Sequence, residues 1–204
     1  MSRLVILDYG VGNLRNLERA FARVGVAAEI SDDPAVVRRA THLVLPGVGA
    51  FGAAMEELRA RRLDGVVQEV ARAGLPVLGV CVGFQMLFEA SHEFGRHAGL
   101  GLLAGEVTRF PADIRPVPHV GWNQVAQTQA HPLWKDIPDE TFFYFVHSYH
   151  AASVRPETVI GTTDYGLRYA SAAARDNVLG VQFHPEKSQR AGLQLLRNFA
   201  ALGA

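Results

Sequence analysis

The chain has 204 residues, of which 49% are hydrophobic, and 20 acidic residues balance 20 lysine and arginine residues. This composition can form a full core without cross-links, and the balanced charge argues against binding to nucleic acid or an anionic membrane. A single cysteine, Cys81, excludes an intrachain disulfide, and no apolar run approaches the ~20 residues of a membrane span. We expect one domain, residues 1–204, in a reducing cytoplasm.

The first half of the chain alternates short apolar runs with helical periodicity. The apolar runs predict strands at residues 4–8, 28–31, 43–45 and 76–80. Helical spacing between and after them predicts helices that begin near residues 14, 34, 50, 64 and 84. Because apolar strands separated by helices indicate βαβ units, we predict an α/β fold with a mostly parallel central sheet flanked by helices.

The second half predicts antiparallel additions to this sheet. Strand-like runs cover residues 106–110, 142–146, 159–163, 167–174 and 178–183. Asp176 and Asn177 suit a two-residue hairpin turn. A last helix is predicted from Ser188 to Ala201, with Ser188 as its N-cap.

The segment Gly79–Gly83 carries a strong chemical signal. It reads Gly-Val-Cys-Val-Gly, between a predicted apolar strand and a predicted amphipathic helix at residues 84–91. This is the cysteine form of the G-x-S-x-G nucleophile elbow, in which a sharp strand-to-helix turn presents a reactive side chain. A lone buried cysteine is usually inert, but this setting predicts that Cys81 is a nucleophile.

A cysteine nucleophile needs a base, and the base needs a group that orients it. His184 and Glu186 follow the last predicted strand and supply this pair. One intervening residue in an extended segment would place both side chains on the same side of the backbone. The helix N-terminus and a protonated His184 would both favour the thiolate of Cys81.

The oxyanion of such a reaction needs backbone N–H donors. Val82, which follows the nucleophile, supplies one candidate. The loop that follows the third predicted strand supplies another, through Val48 or Gly49. Ligands of open α/β sheets bind at the carboxyl edge of the strands, where these segments would meet.

Together, the segments 46–49, 79–85 and 184–186 resemble the triad-type (class I) glutamine amidotransferase family. The resemblance implies a flavodoxin-like class I glutaminase fold. It also implies that L-glutamine is hydrolysed to glutamate and ammonia through a γ-glutamyl thioester on Cys81. By the same resemblance, His184 would be the general base and acid.

The resemblance further implies a site for the amino-acid end of glutamine. A zwitterion needs an anion for its ammonium group and N–H donors for its carboxylate. The residues implied are Gly49, Gly52, Gln85 and Glu93, with the backbone around Ser148 and Tyr149.

Finer motifs resemble one branch of the family, whose glutaminase subunit supplies ammonia to a (β/α)8-barrel cyclase in histidine biosynthesis. These motifs are DYGVGNLRN from residue 8, PGVGAFG from 46, HVGWN from 119, FVHSY from 145 and HPEKS from 184. The resemblance implies a heterodimer with such a cyclase. The implied contact residues are Asn13, Arg15, Trp122 and Lys187.

Alternatives remain open at this point. The chain could serve another ammonia-using synthase, or it could be a glutaminase-like binding subunit without activity. His147 and His150 could hint at a metal, but no further ligand has suitable spacing, and Trp122 could belong to the core. No dinucleotide or P-loop motif is complete, so we expect no cofactor and no metal.

Overall fold

A computed structural model describes residues 3–203, and they form a mixed sheet with helices packed on it. The strands are β1 (Leu4–Leu7), β2 (Ala28–Ser31), β3 (His42–Leu45), β4 (Val77–Val80), β5 (Ala90–Ser91), β6 (His97–Ala98), β7 (Glu106–Arg109), β8 (His119–Gln127), β9 (Thr141–His147), β10 (Tyr149–Ala152), β11 (Val159–Asp164), β12 (Arg168–Arg175) and β13 (Val178–Val181). The α-helices are α1 (Leu14–Arg23), α2 (Pro34–Arg38), α3 (Phe51–Ala60), α4 (Leu63–Arg72), α5 (Val82–Met86) and α6 (Gln189–Ala200).

The parallel part of the sheet has the strand order β2-β1-β3-β4-β13. This is the flavodoxin-like order 2-1-3-4-5, with β13 in the place of the fifth strand. Strands β1, β3, β4 and β13 are buried along their whole length, which explains their continuous apolar sequences. The predicted α/β fold is confirmed.

Helices cover both faces of the parallel strands. Right-handed crossovers place α1 on one face and α2, α3 and α4 on the other, and α6 packs against α1. Helix α4 shows why such segments are helical, because its buried side chains recur at the spacing of one helix face. These side chains are Leu63, Val66, Val67, Val70 and Ala71. No helix within residues 3–203 is long and apolar enough to cross a membrane.

Beyond β13 the sheet is largely antiparallel. A two-residue turn at Asp176 and Asn177 joins β12 to β13, as the sequence predicts. Strand β11 pairs with β12 on one side and with β8 on the other. Strand β8 in turn pairs with β9, from His119↔His147 to Val125↔Thr141. We call the β8–β9 pair the ribbon. The sequence analysis did not predict β8 or β10.

Two local predictions are wrong. The segment 84–91 is not one amphipathic helix, because α5 ends at Met86 and residues 90–91 form β5. Almost every side chain of this segment is buried, so its apolar spacing reflects burial rather than one helix face. Ser188 occupies the N-cap position of α6 without capping it. Its hydroxyl instead donates to the carbonyl of His184 at 2.6 Å and accepts from the Tyr144 N–H at 3.0 Å.

The close approach of α5 to β3 predicts a strong effect of one added methyl group. In Gly83→Ala, the new Cβ would overlap the backbone oxygen of Leu45, which cannot move without displacing β3. We expect the unfolding free energy to fall by about 2–3 kcal/mol or more in urea denaturation. The matched control is Gly65→Ala in the exposed face of α4, where a Cβ meets nothing within 4 Å. It should gain about 0.5–1 kcal/mol, and equal effects of the two changes would contradict this account.

Candidate active site

Cys81 lies in the turn between β4 and α5, with φ 55° and ψ −111°. A positive φ is uncommon for a residue with a side chain and is typical of strained functional turns. The turn is held by the Cys81 N–H, which donates to the carbonyl of Val181 at 2.9 Å. A Cβ at Gly79 would lie 2.7 Å from the backbone oxygen of Gly83, so this tight turn requires glycine at position 79. The sequence therefore forms a nucleophile elbow here.

His184 follows β13, and the nitrogen of its ring that faces away from the cavity is hydrogen bonded to Glu186. The distance from its Nδ1 to Oε1 of Glu186 is 2.8 Å, and both side chains are almost fully buried. Glu186 lies in a 3₁₀ turn, Pro185–Lys187, and not in the extended segment that the sequence analysis assumed. The His184 N–H donates to the carbonyl of Tyr144 at 2.9 Å, which ties this segment to β9.

The charges around His184 decide its protonation. Burial lowers its pKa, but hydrogen bonds to Cys81 and Glu186, and the charges of both, together raise the pKa to about 10. His184 is therefore a cation at neutral pH. The arrangement is an imidazolium between a sulfur and a carboxylate, which is the acid-ready form of a Cys-His-Glu triad.

Tyr9 connects the elbow to the candidate oxyanion loop, residues 46–49. Its hydroxyl donates to the carbonyl of Pro46 at 2.5 Å and lies 3.5 Å from the sulfur of Met86. Burial and then the charge of Cys81 raise the pKa of Tyr9, so it remains a neutral donor. Within the loop, Gly49 has φ 81°, which a residue with a side chain would adopt only with strain.

A cavity of about 310 Å³ opens above Cys81 at the carboxyl edge of the parallel strands. Its volume suits a small metabolite. It brings together most of the residues that the sequence analysis selected. Those that line it are Val48, Gly49, Cys81, Val82, Gln85, Glu93, Ser148, Tyr149, His184 and Lys187.

Other selected residues lie outside this lining. Glu186 is behind His184, and Gly52 is in the first turn of α3, where a Cβ would meet the ring of His97 at 2.9 Å. Asn13 and Arg15 begin α1, and Trp122 lies on the ribbon. Trp122 is 46% exposed, so it is not a core residue.

The sequence analysis missed Gln182. Its side chain is fully buried, its Nε2 lies 3.9 Å from Sγ of Cys81, and its Oε1 accepts from Nε2 of Gln85 at 3.0 Å. A signal was present, since a glutamine within an apolar strand, two residues before His184, shares the side of the chain that His184 occupies.

His147 was considered only as a metal ligand, yet it lines the cavity beside His184. Within residues 3–203, no group of three or more histidine, cysteine, aspartate and glutamate side chains could hold a metal ion.

Known proteins resemble the chain over nearly its whole length. The family model described as "Glutamine amidotransferase class-I" matches residues 5–202. The imidazole glycerol phosphate synthase subunit HisH of Salinibacter ruber is 51% identical over 203 residues, which cover 97% of this chain and 93% of the relative. The subunit of the same name from Moorella thermoacetica is 50% identical over 202 residues, which cover 99% of this chain and 96% of the relative.

Solved structures support the fold alone. PurLQS from Thermotoga maritima superposes with a TM-score of 0.77 at 17% identity, covering 97% of both chains. A structure titled glutamine amidotransferase has a TM-score of 0.76 at 19% identity, covering 96% of both chains.

The chain therefore belongs to the class I glutamine amidotransferases, which are glutamine-hydrolysing enzymes. Within this class it belongs to the HisH family of imidazole glycerol phosphate synthase subunits, which act in histidine biosynthesis. The family resemblance in the sequence motifs is confirmed.

The electrostatics of the site predict an unusual histidine titration. The imidazole of His184 should titrate near pH 10, because Cys81 and Glu186 stabilise its cation. Cys81→Ala and Glu186→Gln should each lower this midpoint, since each removes a hydrogen bond and a charge. Histidine NMR titration measures it. The control is His131, because burial alone lowers its pKa and neither substitution should change its midpoint. A His184 midpoint that neither substitution changes would contradict the proposed electrostatics.

Proposed function

We propose that this chain is the glutaminase subunit of imidazole glycerol phosphate synthase, with one glutaminase domain. It hydrolyses L-glutamine and passes the ammonia to a (β/α)8-barrel cyclase, with which it forms a cytoplasmic heterodimer. The cyclase uses the ammonia to make imidazole glycerol phosphate and an aminoimidazole carboxamide ribotide. The observation that carries the proposal is the buried Cys81–His184–Glu186 arrangement below the cavity, in a chain of the HisH family.

The chemistry follows from the protonation of the triad. The Cys81 thiolate attacks the side-chain carbonyl carbon of glutamine, and the new oxyanion is met by N–H groups of Val82 and of the Val48–Gly49 loop. His184 gives its proton to the amine as the C–N bond breaks, and ammonia leaves. Neutral His184 then takes a proton from water as the water attacks the thioester. The C–S bond breaks, glutamate leaves, and Cys81 regains its thiolate.

The polar lining of the cavity suits the amino-acid end of glutamine. Glu93 accepts from the Phe51 N–H through Oε2 at 2.6 Å, which leaves Oε1 for the substrate ammonium group. Gln85 donates from Nε2 to Tyr149 and to Gln182, both at 3.0 Å, so its Oε1 can accept from the same ammonium group. The backbone near Tyr149 would bind the carboxylate.

Gly52 has an indirect place in this scheme. It lets the first turn of α3 lie against His97, and that turn includes the Phe51 N–H that Glu93 accepts.

The ribbon offers a surface for the cyclase. Val120 lies opposite Val146, and Trp122 lies opposite Tyr144, so these side chains share one face. On this face Val120, Trp122 and Val146 are exposed, and Val146 also lines the cavity. Exposed apolar patches of this kind mark interaction surfaces, and tryptophan is a frequent anchor of binding energy.

Three polar residues extend this ribbon surface along the same sheet edge. The ammonium group of Lys187 lies 5.7 Å from the centre of the Tyr144 ring, beside the cavity. Asn13 and Arg15 follow the loop after β1, in which a Cβ at Gly12 would lie 3.2 Å from Cβ of Pro46. We propose that the cyclase contacts all three.

Cys81→Ala should separate the two halves of the reaction. In complex with the cyclase, the variant should lose glutamine-dependent synthesis by about 10³-fold or more, because no other group forms the thioester. Ammonia-dependent synthesis should be unchanged. Glutamine hydrolysis without any coupling to the cyclase would point to another synthase, and failure of an electrophilic glutamine analogue to label wild-type Cys81 would point to a non-catalytic subunit.

Truncation at the ribbon surface should weaken assembly. Trp122→Ala should raise the dissociation constant of the complex about 30-fold, because it removes an exposed aromatic anchor. Arg15→Ala should raise it by a smaller factor. Arg23→Ala is the matched control, since it lies at the other end of α1, near the opposite sheet edge. Titration calorimetry measures all three, and a Trp122 variant that binds like wild type would remove the ribbon from the interface.

A further inference from the structure

His147 is a buried histidine of the cavity that the proposed mechanism does not use. Its Nδ1 lies 2.7 Å from the carbonyl oxygen of Tyr149, and Nε2 of Gln85 donates to the same oxygen at 3.0 Å. A carbonyl oxygen can only accept, so Nδ1 of His147 carries a proton and donates it. Two side chains of the cavity lining therefore hold one backbone carbonyl.

The hydrogen bonds behind His147 fix the same tautomer. Asn123 is oriented by its Nδ2, which donates to the carbonyl of Asp164 at 2.9 Å, and this nitrogen also lies 3.3 Å from Nε2 of His119. An amide nitrogen only donates, so the proton of His119 is on Nδ1. That atom lies 3.2 Å from Nε2 of His147 and 3.3 Å from the Tyr169 hydroxyl, which itself lies 3.1 Å from the same Nε2. Nε2 of His147 therefore accepts, from His119 directly or from Tyr169.

Both histidines are neutral, in contrast to His184. Burial lowers the pKa of His147 to about 3, although the Tyr149 carbonyl opposes this, and the charges of nearby histidines lower it further. Burial, and then Arg115, lower the pKa of His119 to about 4. One cavity therefore contains a cationic histidine that can transfer a proton and a neutral one with a fixed donor.

The held carbonyl sets the direction of the Tyr149 N–H. The carbonyl of Ser148 accepts from the Phe110 N–H at 3.1 Å, so it faces β7. In a planar trans peptide the N–H of the next residue points the opposite way, so the Tyr149 N–H faces away from β7. The N–H and carbonyl of one strand residue also share a side, and the Tyr149 carbonyl faces Gln85 and His147. The Tyr149 N–H therefore points toward the cavity.

We infer that His147 is a positioning residue for substrate, which holds Tyr149 so that its N–H receives the α-carboxylate of glutamine. His119 and Asn123 keep the required proton of His147 on Nδ1. The inference rests on the proposed function, because it assigns a role within the glutamine site. His147 itself does not touch the reacting atoms.

A pair of variants of equal shape tests this inference. Asparagine at position 147 places an N–H donor near the former Nδ1, whereas leucine has the same shape without a donor. In the complex with the cyclase, His147→Leu should raise KM for glutamine by about three- to tenfold with a smaller change in kcat. His147→Asn should restore KM to within about threefold of wild type.

The matched control is His150→Leu. His150 is a second buried neutral histidine, stacked on Phe110, but unlike His147 it does not line the cavity. This variant should lower the thermal midpoint as much as His147→Leu does but leave KM unchanged. Equal KM for the asparagine and leucine variants at position 147, or a loss of stability alone, would overturn the inference.

Binding without turnover separates the inference from the proposed function. In a Cys81→Ala background, calorimetric titration with L-glutamine should show weaker binding for His147→Leu than for His147→Asn. If the Cys81→Ala protein binds glutamine and neither change at position 147 alters its affinity, only the positioning role is overturned. If it binds no glutamine at all, the proposed function fails with it.

Discussion

The backbone of Gly83 lies so close to the carbonyl of Leu45 that no side chain fits between them, and the active site depends on this contact. It brings the first turn of α5 against the end of β3, so Val82 and the loop after Leu45 meet beside Cys81. A longer spacing would separate the two candidate oxyanion donors. The positive φ of Cys81 has the same cause, because the chain must reverse sharply between β4 and α5 to make this approach.

Two histidines in one cavity show how environment divides their roles. Burial lowers the pKa of both histidines, but hydrogen bonds and charges of Cys81 and Glu186 outweigh it at His184, whereas the charges of neighbouring histidines add to it at His147. The difference is electrostatic, since both side chains are largely buried. The two roles that we propose, proton transfer and substrate positioning, therefore use the same side-chain type within one cavity.

The parallel strands and the proximity of Cys81, His184 and Glu186 could be predicted from the sequence because both depend on local patterns. Continuous apolar strands, the glycines around Cys81 and the short spacing from His184 to Glu186 are all visible in the chain itself. Strand β8 was missed because Gly121 interrupts it and its outward side chains include valine and tryptophan, so no alternation of apolar and polar residues marks it. The hydroxyl of Ser188 was misassigned because it bonds to the carbonyl of His184 and to the N–H of Tyr144, and Tyr144 is distant in sequence. Spacing carried a signal for Gln182, two residues before His184, but the contacts of Gln182 with Gln85 and of His147 with His119 join residues distant in sequence.

The ribbon also packs its inner face against the strand that leads to the triad. Phe143 and Phe145 contact Phe183, the residue before His184, with ring centroids 4.1 and 5.6 Å apart. The outer face exists only when the ribbon is folded, and the folded ribbon packs against Phe183. A partner that binds the outer face therefore binds only molecules in which this packing is present. By mass action, such a partner would stabilise the segment that contains Phe183 and His184 by a free energy that rises with the logarithm of its own free concentration. We then expect the Cys81–His184–Glu186 arrangement to depend on the ratio of the two proposed subunits as well as on the single chain.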